Sequence, residues 1–425
     1  MPRRRRGRYH PPALIKGAVV FLLTYVVIAG RRSRWLPLDR PAGALLGAVL
    51  CVVLRVLTPG QALGAVNGQT LVLLFGLMGI GAFLAEGGLL DRATDALVAR
   101  VRTPRRLLGA LVWGAGLLSA LVTNDAVCVL GAPLVVSWIQ RHRLPPRPFL
   151  LALATAANTG SVATLVGNPQ NMLCGTLGGL SYRAYLLHLA PVAIAGLAIN
   201  HLLLLRLFRQ PLAEARLDLP PPGHLPPPVL DRQARFTMLV LAATVAAYLA
   251  GADLAWTAVA GFTALLVVHR ADPTTFWGRI DWSVIVFFGG LFVVVEGLVR
   301  SGAAGWALAH VPLWSGTRTV ADHARAAFLF LVGSNVVSNV PFILVVQGEM
   351  AHLPDPTLGW ELLAMASTFA GNLTLLGSVA NVIVAERGRP VGGLEFLPHL
   401  RVGLPLALLT TAVGTGWLLL VHHPR

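Results

Sequence analysis

Long apolar stretches recur along the whole chain, broken by short polar connections. They fall at about 13–30, 42–57, 69–89, 108–122, 125–139, 148–171, 184–207, 234–250, 254–268, 283–299, 325–337, 340–350, 359–385 and 402–422. A helix needs about 20 residues to cross a bilayer, so the pattern predicts an all-α polytopic membrane protein. Four stretches look too short to span. They pair around polar tips at Thr123–Asp125 and Ser338–Asn339. Two apolar arms around a polar tip predict a re-entrant hairpin, because non-helical backbone at membrane depth is tolerated only inside protein or beside a cavity.

Two other stretches carry polar runs inside them. Asn158, Thr159, Gly160, Ser161, Thr164, Gly167, Asn168, Pro169, Gln170 and Asn171 interrupt 148–171. Ser367, Thr368, Gly371, Asn372, Thr374, Gly377, Ser378 and Asn381 interrupt 359–385. Both read as broken helices. The second set repeats the first: T-L-V-G-N-P-Q-N at Thr164–Asn171 matches T-L-L-G-S-V-A-N at Thr374–Asn381. The tip L-V-T-N-D-A-V at Leu121–Val127 matches V-V-S-N-V-P-F at Val336–Phe342. L-F-G-L at Leu74–Leu77 matches F-F-G-G at Phe287–Gly290. Three ordered matches at nearly constant offset mean a duplication.

Residues 208–233 hold two proline triplets, Pro220–Pro222 and Pro226–Pro228, and read as a linker. The expected plan is therefore a first repeat over 1–207, a cytoplasmic linker over 208–233 and a second repeat over 234–425. Each repeat has about five transmembrane helices plus one re-entrant hairpin and one broken helix, so the second copy is inverted.

Composition agrees. Hydrophobic residues make up 55% of the 425-residue chain and charged ones only 12%, where soluble domains carry about 25% charged residues. The net charge of +16 does not imply nucleic acid. Basic residues mark the cytoplasmic side of membrane proteins, and loops at 31–40, 92–107, 140–147, 206–235, 270–279 and 386–401 hold 22 arginines. The opposite side holds Arg183, Arg300, Arg318, Arg325 and Arg425. The tail Arg3–Arg8 falls on that opposite side and resists the rule. Cys51, Cys128 and Cys174 are widely spaced in apolar surroundings and read as buried free thiols, not a disulfide set or a metal cluster. The first apolar stretch lacks a small-residue cleavage site and so is not a cleaved signal.

Interrupted helices in inverted repeats point to a midplane site in secondary transporters. Half-helix N-termini offer partial positive charge to an anion, while freed carbonyls and Asn, Ser or Thr oxygens suit a small cation. Asp125 is the acid at either tip, and a carboxylate at membrane depth is a functional candidate. It suits Na⁺ binding, proton carriage or helix capping. Glu86, Glu361 and Glu386 read as lying near span ends, where charge is cheap; Glu296 sits deeper and is a secondary candidate. His188, His201 and His323 show no metal-ligand spacing. There is no Walker motif, no G-x-S-x-G and no paired catalytic carboxylate, so neither an ATP-driven pump nor an enzyme is expected.

N-D-A at Asn124–Ala126, A-N-T-G-S-V-A-T-L-V-G-N-P-Q-N at Ala157–Asn171, S-N-V-P at Ser338–Pro341 and G-N-L-T-L-L-G-S-V-A-N at Gly371–Asn381 resemble the ion transporter superfamily. The similarity is nearest to its arsenite/citrate permease branch, related to the divalent anion/sodium symporters. It implies a scaffold domain, a transport domain, a homodimer and an elevator motion. It also implies Na⁺ and substrate at the hairpin tips. Here the tips read Thr-Asn-Asp and Ser-Asn-Val, a departure from the dicarboxylate symporters.

The expected function is secondary transport of a small anion or oxyanion across the cytoplasmic membrane, coupled to Na⁺ or H⁺. Alternatives are a Na⁺/H⁺ antiporter of the same fold and an arsenite or antimonite efflux permease. The expected site is Thr123, Asn124, Asp125, Asn158, Ser161, Thr164, Gly167, Asn168, Asn171, Ser338, Asn339, Thr374, Gly377, Ser378 and Asn381. No cofactor is expected; Na⁺, where it is the coupling ion rather than H⁺, would sit near Asn124, Asp125 and Asn168.

Overall fold

The computed structural model describes residues 11–29, 38–86, 101, 103–217, 232–270, 272–314, 319–350, 353 and 355–422. These residues are helical with no strand among them. The arginine tail Arg3–Arg8, most of the loop 92–107 and residues 218–231 of the expected linker lie outside the described residues.

Among the described residues the main helices form two series of eight. The first comprises α1 (Pro11–Ala29), α2 (Arg40–Val53), α3 (Gly68–Glu86), α4 (Pro104–Leu121), α5 (Asn124–His142), α6 (Pro146–Ser161), α7 (Pro169–Gly178) and α8 (Tyr182–Leu207). The second comprises α9 (Arg232–Leu249), α10 (Leu254–His269), α11 (Trp282–Arg300), α12 (Val320–Val337), α13 (Asn339–Met350), α14 (Pro356–Leu373), α15 (Val379–Arg387) and α16 (Phe396–His422). Short helices at Pro59–Gly64 and Pro273–Trp277 precede α3 and α11 at matching places. Pro191 in α8 and Pro405 in α16 match as well.

Local chemistry sets the boundaries. Side chains of Asp39, Thr103, Ser181, Asp253 and Asp355 cap the helices that follow them, which satisfies first-turn N–H groups that would otherwise lack partners. Proline opens α4, α6, α7 and α14, where its missing N–H costs nothing. Arg143 and Gly179 close α5 and α7 in the left-handed conformation.

Helices α8, α11 and α16 are long and apolar enough to cross a membrane, and α1, α2, α3 and α10 are shorter apolar helices. Three of the four arms around the tips are longer than the apolar runs predict. The arms of the first hairpin, α4 and α5, have 18 and 19 residues, and those of the second, α12 and α13, have 18 and 12. Polar first and last turns, such as Arg105–Arg106 and Arg141–His142, hid these lengths from hydropathy. The stretches 148–171 and 359–385 do break, into α6/α7 and α14/α15. The expected linker is also partly ordered: Arg209–Glu214 is a short helix, and α9 starts at Arg232.

Packing crosses between the series. α2 lies along α11, and α10 lies along α3. Gly76 of α3 meets the backbone of Ala258, and Gly290 of α11 meets the backbone of Ala44; a Cβ at either glycine would come within 2.7 Å of the facing backbone. These helices form one group. A second group holds the hairpins and broken spans. In it α7 packs on α13 and α14, α15 packs on α5 and α6, and α8 runs beside α16. Lipid tails are as apolar as leucine, so close packing and polar bonds hold membrane helices together. The polar bonds concentrate where the spans break. Cys51, Cys128 and Cys174 are buried free thiols.

Candidate functional site

A helix that stops at membrane depth strands its last carbonyls and the next helix's first N–H groups. Here two asparagines resolve both breaks in the same way. Asn171 Nδ2 donates to the carbonyls of Ser161 and Thr164, both at 3.0 Å. Asn381 Nδ2 donates to those of Gly371 and Thr374, at 2.7 and 3.1 Å. The half-helix starts are capped too. Asn168 Oδ1 accepts from the Asn171 N–H at 2.8 Å, and Ser378 Oγ accepts from the Ala380 N–H at 3.2 Å.

The two breaks then bond to each other. Thr368 Oγ1 donates to Asn171 Oδ1 at 2.9 Å and accepts from Asn168 Nδ2 at 3.1 Å. Asn158 stands in the place equivalent to Thr368. Its Nδ2 donates to Asn381 Oδ1 at 3.0 Å and to Asn372 Oδ1 at 3.1 Å, and its Oδ1 accepts from Ser378 Oγ at 3.0 Å. Asn372 Nδ2 completes the joint by donating to Thr159 Oγ1 at 2.9 Å. Membrane interhelix hydrogen bonds average about 0.6 kcal/mol, so these six bonds hold the spans together by roughly 3–4 kcal/mol. His399, fully buried on α16, faces the Asn372 carbonyl at 3.0 Å through Nε2.

The hairpin tips reach the breaks. The Asn124 N–H donates to the Gly167 carbonyl at 2.9 Å, and Asn124 Nδ2 donates to Asn158 Oδ1 at 2.9 Å. In the second hairpin Asn335, three residues before the tip, donates to the Ala370 carbonyl at 2.9 Å and shares a bond with the Thr374 hydroxyl. Ser338 turns the tip at φ 73 and ψ 149, a conformation that L side chains rarely adopt. Thr123 turns the first tip at an ordinary φ of −73.

Between the tips lies a pocket of about 80 Å³. Four helices start on it: α5 with Asn124 and Asp125, α7 with Pro169 and Gln170, α13 with Ser338 and Asn339, and α15 with Ser378 and Val379. Arg40, the first residue of α2, also lines it. Asn339 Oδ1 is buried and has no hydrogen-bond partner among the described residues. The Asp125 carboxylate accepts the backbone N–H of Ala380 at the start of α15. On its other side Asp125 borders a wider cavity of about 330 Å³, lined also by Thr123, Arg279 and Asp281. Arg279 pairs with Glu86 at 3.3 Å.

The expected site residues therefore divide. Asn124, Asp125, Ser338, Asn339, Gly377 and Ser378 line the small pocket, and Thr123 lines the wider cavity. Asn158, Ser161, Thr164, Gly167, Asn168, Asn171, Thr374 and Asn381 form the bonded layer behind it. Asn168, grouped with Asn124 and Asp125 as a possible Na⁺ ligand, has its amide nitrogen and oxygen engaged in that layer. Three participants lie outside the expected set: Arg40, which the sequence places among the loop arginines, Gln170, which it shows only within a polar run, and His399. Two further acids differ from expectation. Glu361 is 1% exposed and bonded to His188 and His422, so it is not a cheap surface charge, and His188 is not isolated. Glu296 pairs with Arg300 one turn on.

The profile of the citrate transporter family (CitMHS) matches residues 24–370. The silicon efflux transporter LSI3 of Oryza sativa subsp. japonica is 31% identical, over 95% of this chain and 97% of that protein. The putative transporter arsB of Dictyostelium discoideum is 25% identical, over 95% of this chain and 92% of that protein. Among solved structures, the Alcanivorax borkumensis YdaH transporter shares the fold with a TM-score of 0.54 at 16% identity, over 97% of each chain.

Proposed function

The chain belongs to the citrate transporter (CitMHS) family, and from that premise we propose that it carries a small oxyanion through the pocket between the hairpin tips. It is a secondary transporter, a multi-pass protein of the plasma membrane and not an enzyme. The observation that carries the proposal is the convergence of four helix starts and Arg40 on one small pocket. Each helix start turns the positive end of a dipole toward the pocket, which favours an anion. About 80 Å³ is the space of a few waters, which suits a compact oxyanion better than a tricarboxylate.

Asp125 supplies the coupling. A carboxylate and an anion in one pocket repel each other, so the anion binds best when Asp125 holds a proton or Na⁺. That mutual preference is a coupling free energy between the two ligands, and it favours their moving together. Asn124, beside Asp125 on the first tip, would add an amide oxygen for such an ion. The two series would act as inverted repeats, and a homodimer forms part of the same reading, checked by the mass of the detergent-solubilised particle.

A second reading rests on the pocket's uncharged lining. Asn339, Gln170, Ser338 and Ser378 suit the hydroxyls of a neutral oxyacid, and the relative named for silicon efflux points to that class. Uptake and counterflow in proteoliposomes separate the readings. An oxyanion substrate drives current and depends on Arg40, so Arg40→Gln should weaken its half-saturation about tenfold, the worth of one charge-assisted bond. A neutral oxyacid should be carried without regard to Arg40. If Na⁺ exchanged for protons with neither solute present, an antiporter would replace both readings.

A further inference from the structure

Away from the pocket, His188 Nδ1 lies 2.9 and 3.1 Å from the two oxygens of Glu361, and His422 Nε2 lies 2.9 Å from Glu361 Oε2. The ligand atoms of these three residues lie within 4.8 Å of one another. The other nitrogen of His422, Nδ1, lies 2.9 Å from Asp355 Oδ2. Trp417 Nε1 steadies α8 at this level by donating to the His188 carbonyl at 2.9 Å. The residues come from α8, the capped start of α14 and the end of α16, so the cluster joins the two series at one end of the bundle.

We propose that His188, Glu361 and His422 form a site for a single divalent transition ion of the zinc class, with Asp355 orienting His422. Two imidazole nitrogens and one carboxylate are a zinc ligand set that leaves a fourth position for water. Ligands at bond lengths of about 2.0–2.1 Å around a tetrahedral ion stand roughly 3.3 Å apart, so each imidazole nitrogen need separate from the Glu361 carboxylate by only a few tenths of an ångström. A metal-ligating histidine characteristically gives its second N–H to a carboxylate, and His422 to Asp355 has that form.

Charge favours the ion as well. Glu361 and Asp355 place two carboxylates beside the two imidazoles, and a divalent ion offsets both when they are ionised. Imidazole and carboxylate bind a metal only without the competing proton, so binding releases protons and strengthens as pH rises. An entry path exists: the Asp355 and His188 side chains are 41% and 25% exposed, while Glu361 beneath them is 1% exposed. Under the arginine asymmetry this end faces outward. The ion would pin the start of α14, whose far end carries Thr368 and Asn372.

The test uses untagged, full-length protein in detergent, stripped with chelator and titrated with Zn²⁺ against a chromophoric competitor. Bound metal is counted after desalting, and thermal unfolding is followed with and without Zn²⁺. The expected result is one zinc per protomer, a higher unfolding temperature and proton release on binding. His422→Ala, near the chain end, should fold and lose binding. Asp355→Asn should weaken binding at least tenfold while keeping the stoichiometry. Wild-type protein that takes up no zinc, or His422→Ala protein that binds it as wild type does, would overturn the proposal.

Discussion

The two hairpin tips occupy matching positions but are built differently. The first turns at Thr123 with relaxed backbone, locks Asn124 onto Asn158 and places Asp125 against the start of α15. The second turns at Ser338 with φ 73, has no acid and leaves Asn339 Oδ1 without a partner among the described residues. Its second arm is also shorter, 12 residues against 19. Two matching places in the fold thus hold one bonded, charged tip and one strained tip with an unpartnered oxygen among the described residues. We infer a division of labour in which the first tip holds the coupling cation and the second meets the solute.

Breaking the joint between the two helix breaks should have the largest effect. Asn158→Leu removes four hydrogen bonds and strands the amides of Asn372 and Asn381. At membrane averages, with a penalty for the stranded groups, the loss is about 3 kcal/mol or more. It should appear as a large fall in the unfolding temperature of detergent-solubilised protein. Thr368→Val removes only two bonds and should cost about half as much. Equal losses would mean that the two breaks are interchangeable.

Next in size is the charge. Asp125→Asn keeps the shape of the first tip, so folding should persist, while coupled transport in proteoliposomes falls roughly 100-fold, the scale of about 2.7 kcal/mol. Full coupled activity in this variant would remove the first tip from the coupling role. For the second tip, Asn339→Ala should raise the half-saturation for substrate about tenfold, one hydrogen bond's worth, at unchanged thermal stability. Asn124→Ala should do the reverse and destabilise the protein, because Asn124 is bonded to Asn158.

The smallest effect tests the strain. Glycine is at ease at φ 73, so Ser338→Gly should stabilise the protein by about 1 kcal/mol. Thr123→Gly has no strain to relieve and should lower stability by a few tenths of a kcal/mol through the weaker cap. Unfolding temperatures of the two variants should therefore move in opposite directions.

The sequence alone reveals the breaks, the tips and their repetition, because polar residues inside apolar runs are unmistakable in one dimension. Direction is what it conceals. Asn171 and Asn381 are polar at depth, which suggested a solute-facing role, yet they turn inward to cap the carbonyls at Ser161, Thr164, Gly371 and Thr374. Nothing local distinguishes an asparagine that faces a cavity from one that finishes a helix. Arg40 escapes notice because it enters the pocket from a different group of helices. The His188, Glu361 and His422 cluster escapes because its members lie on three helices far apart along the chain. Hairpin arm lengths were underestimated because charged turns at helix ends look like loop.

The joint between the breaks also has a consequence in time. Asn158 bonds Asn372, 214 residues later in the chain. At synthesis rates of about 5–20 residues per second, the first break waits roughly 10–40 s for its partners to be made. Through that interval its amides and hydroxyls must be shielded by lipid headgroups, water or the insertion machinery. The nascent first half is therefore an unfinished object in the membrane, and the stage most exposed to quality control falls before the second break has left the ribosome.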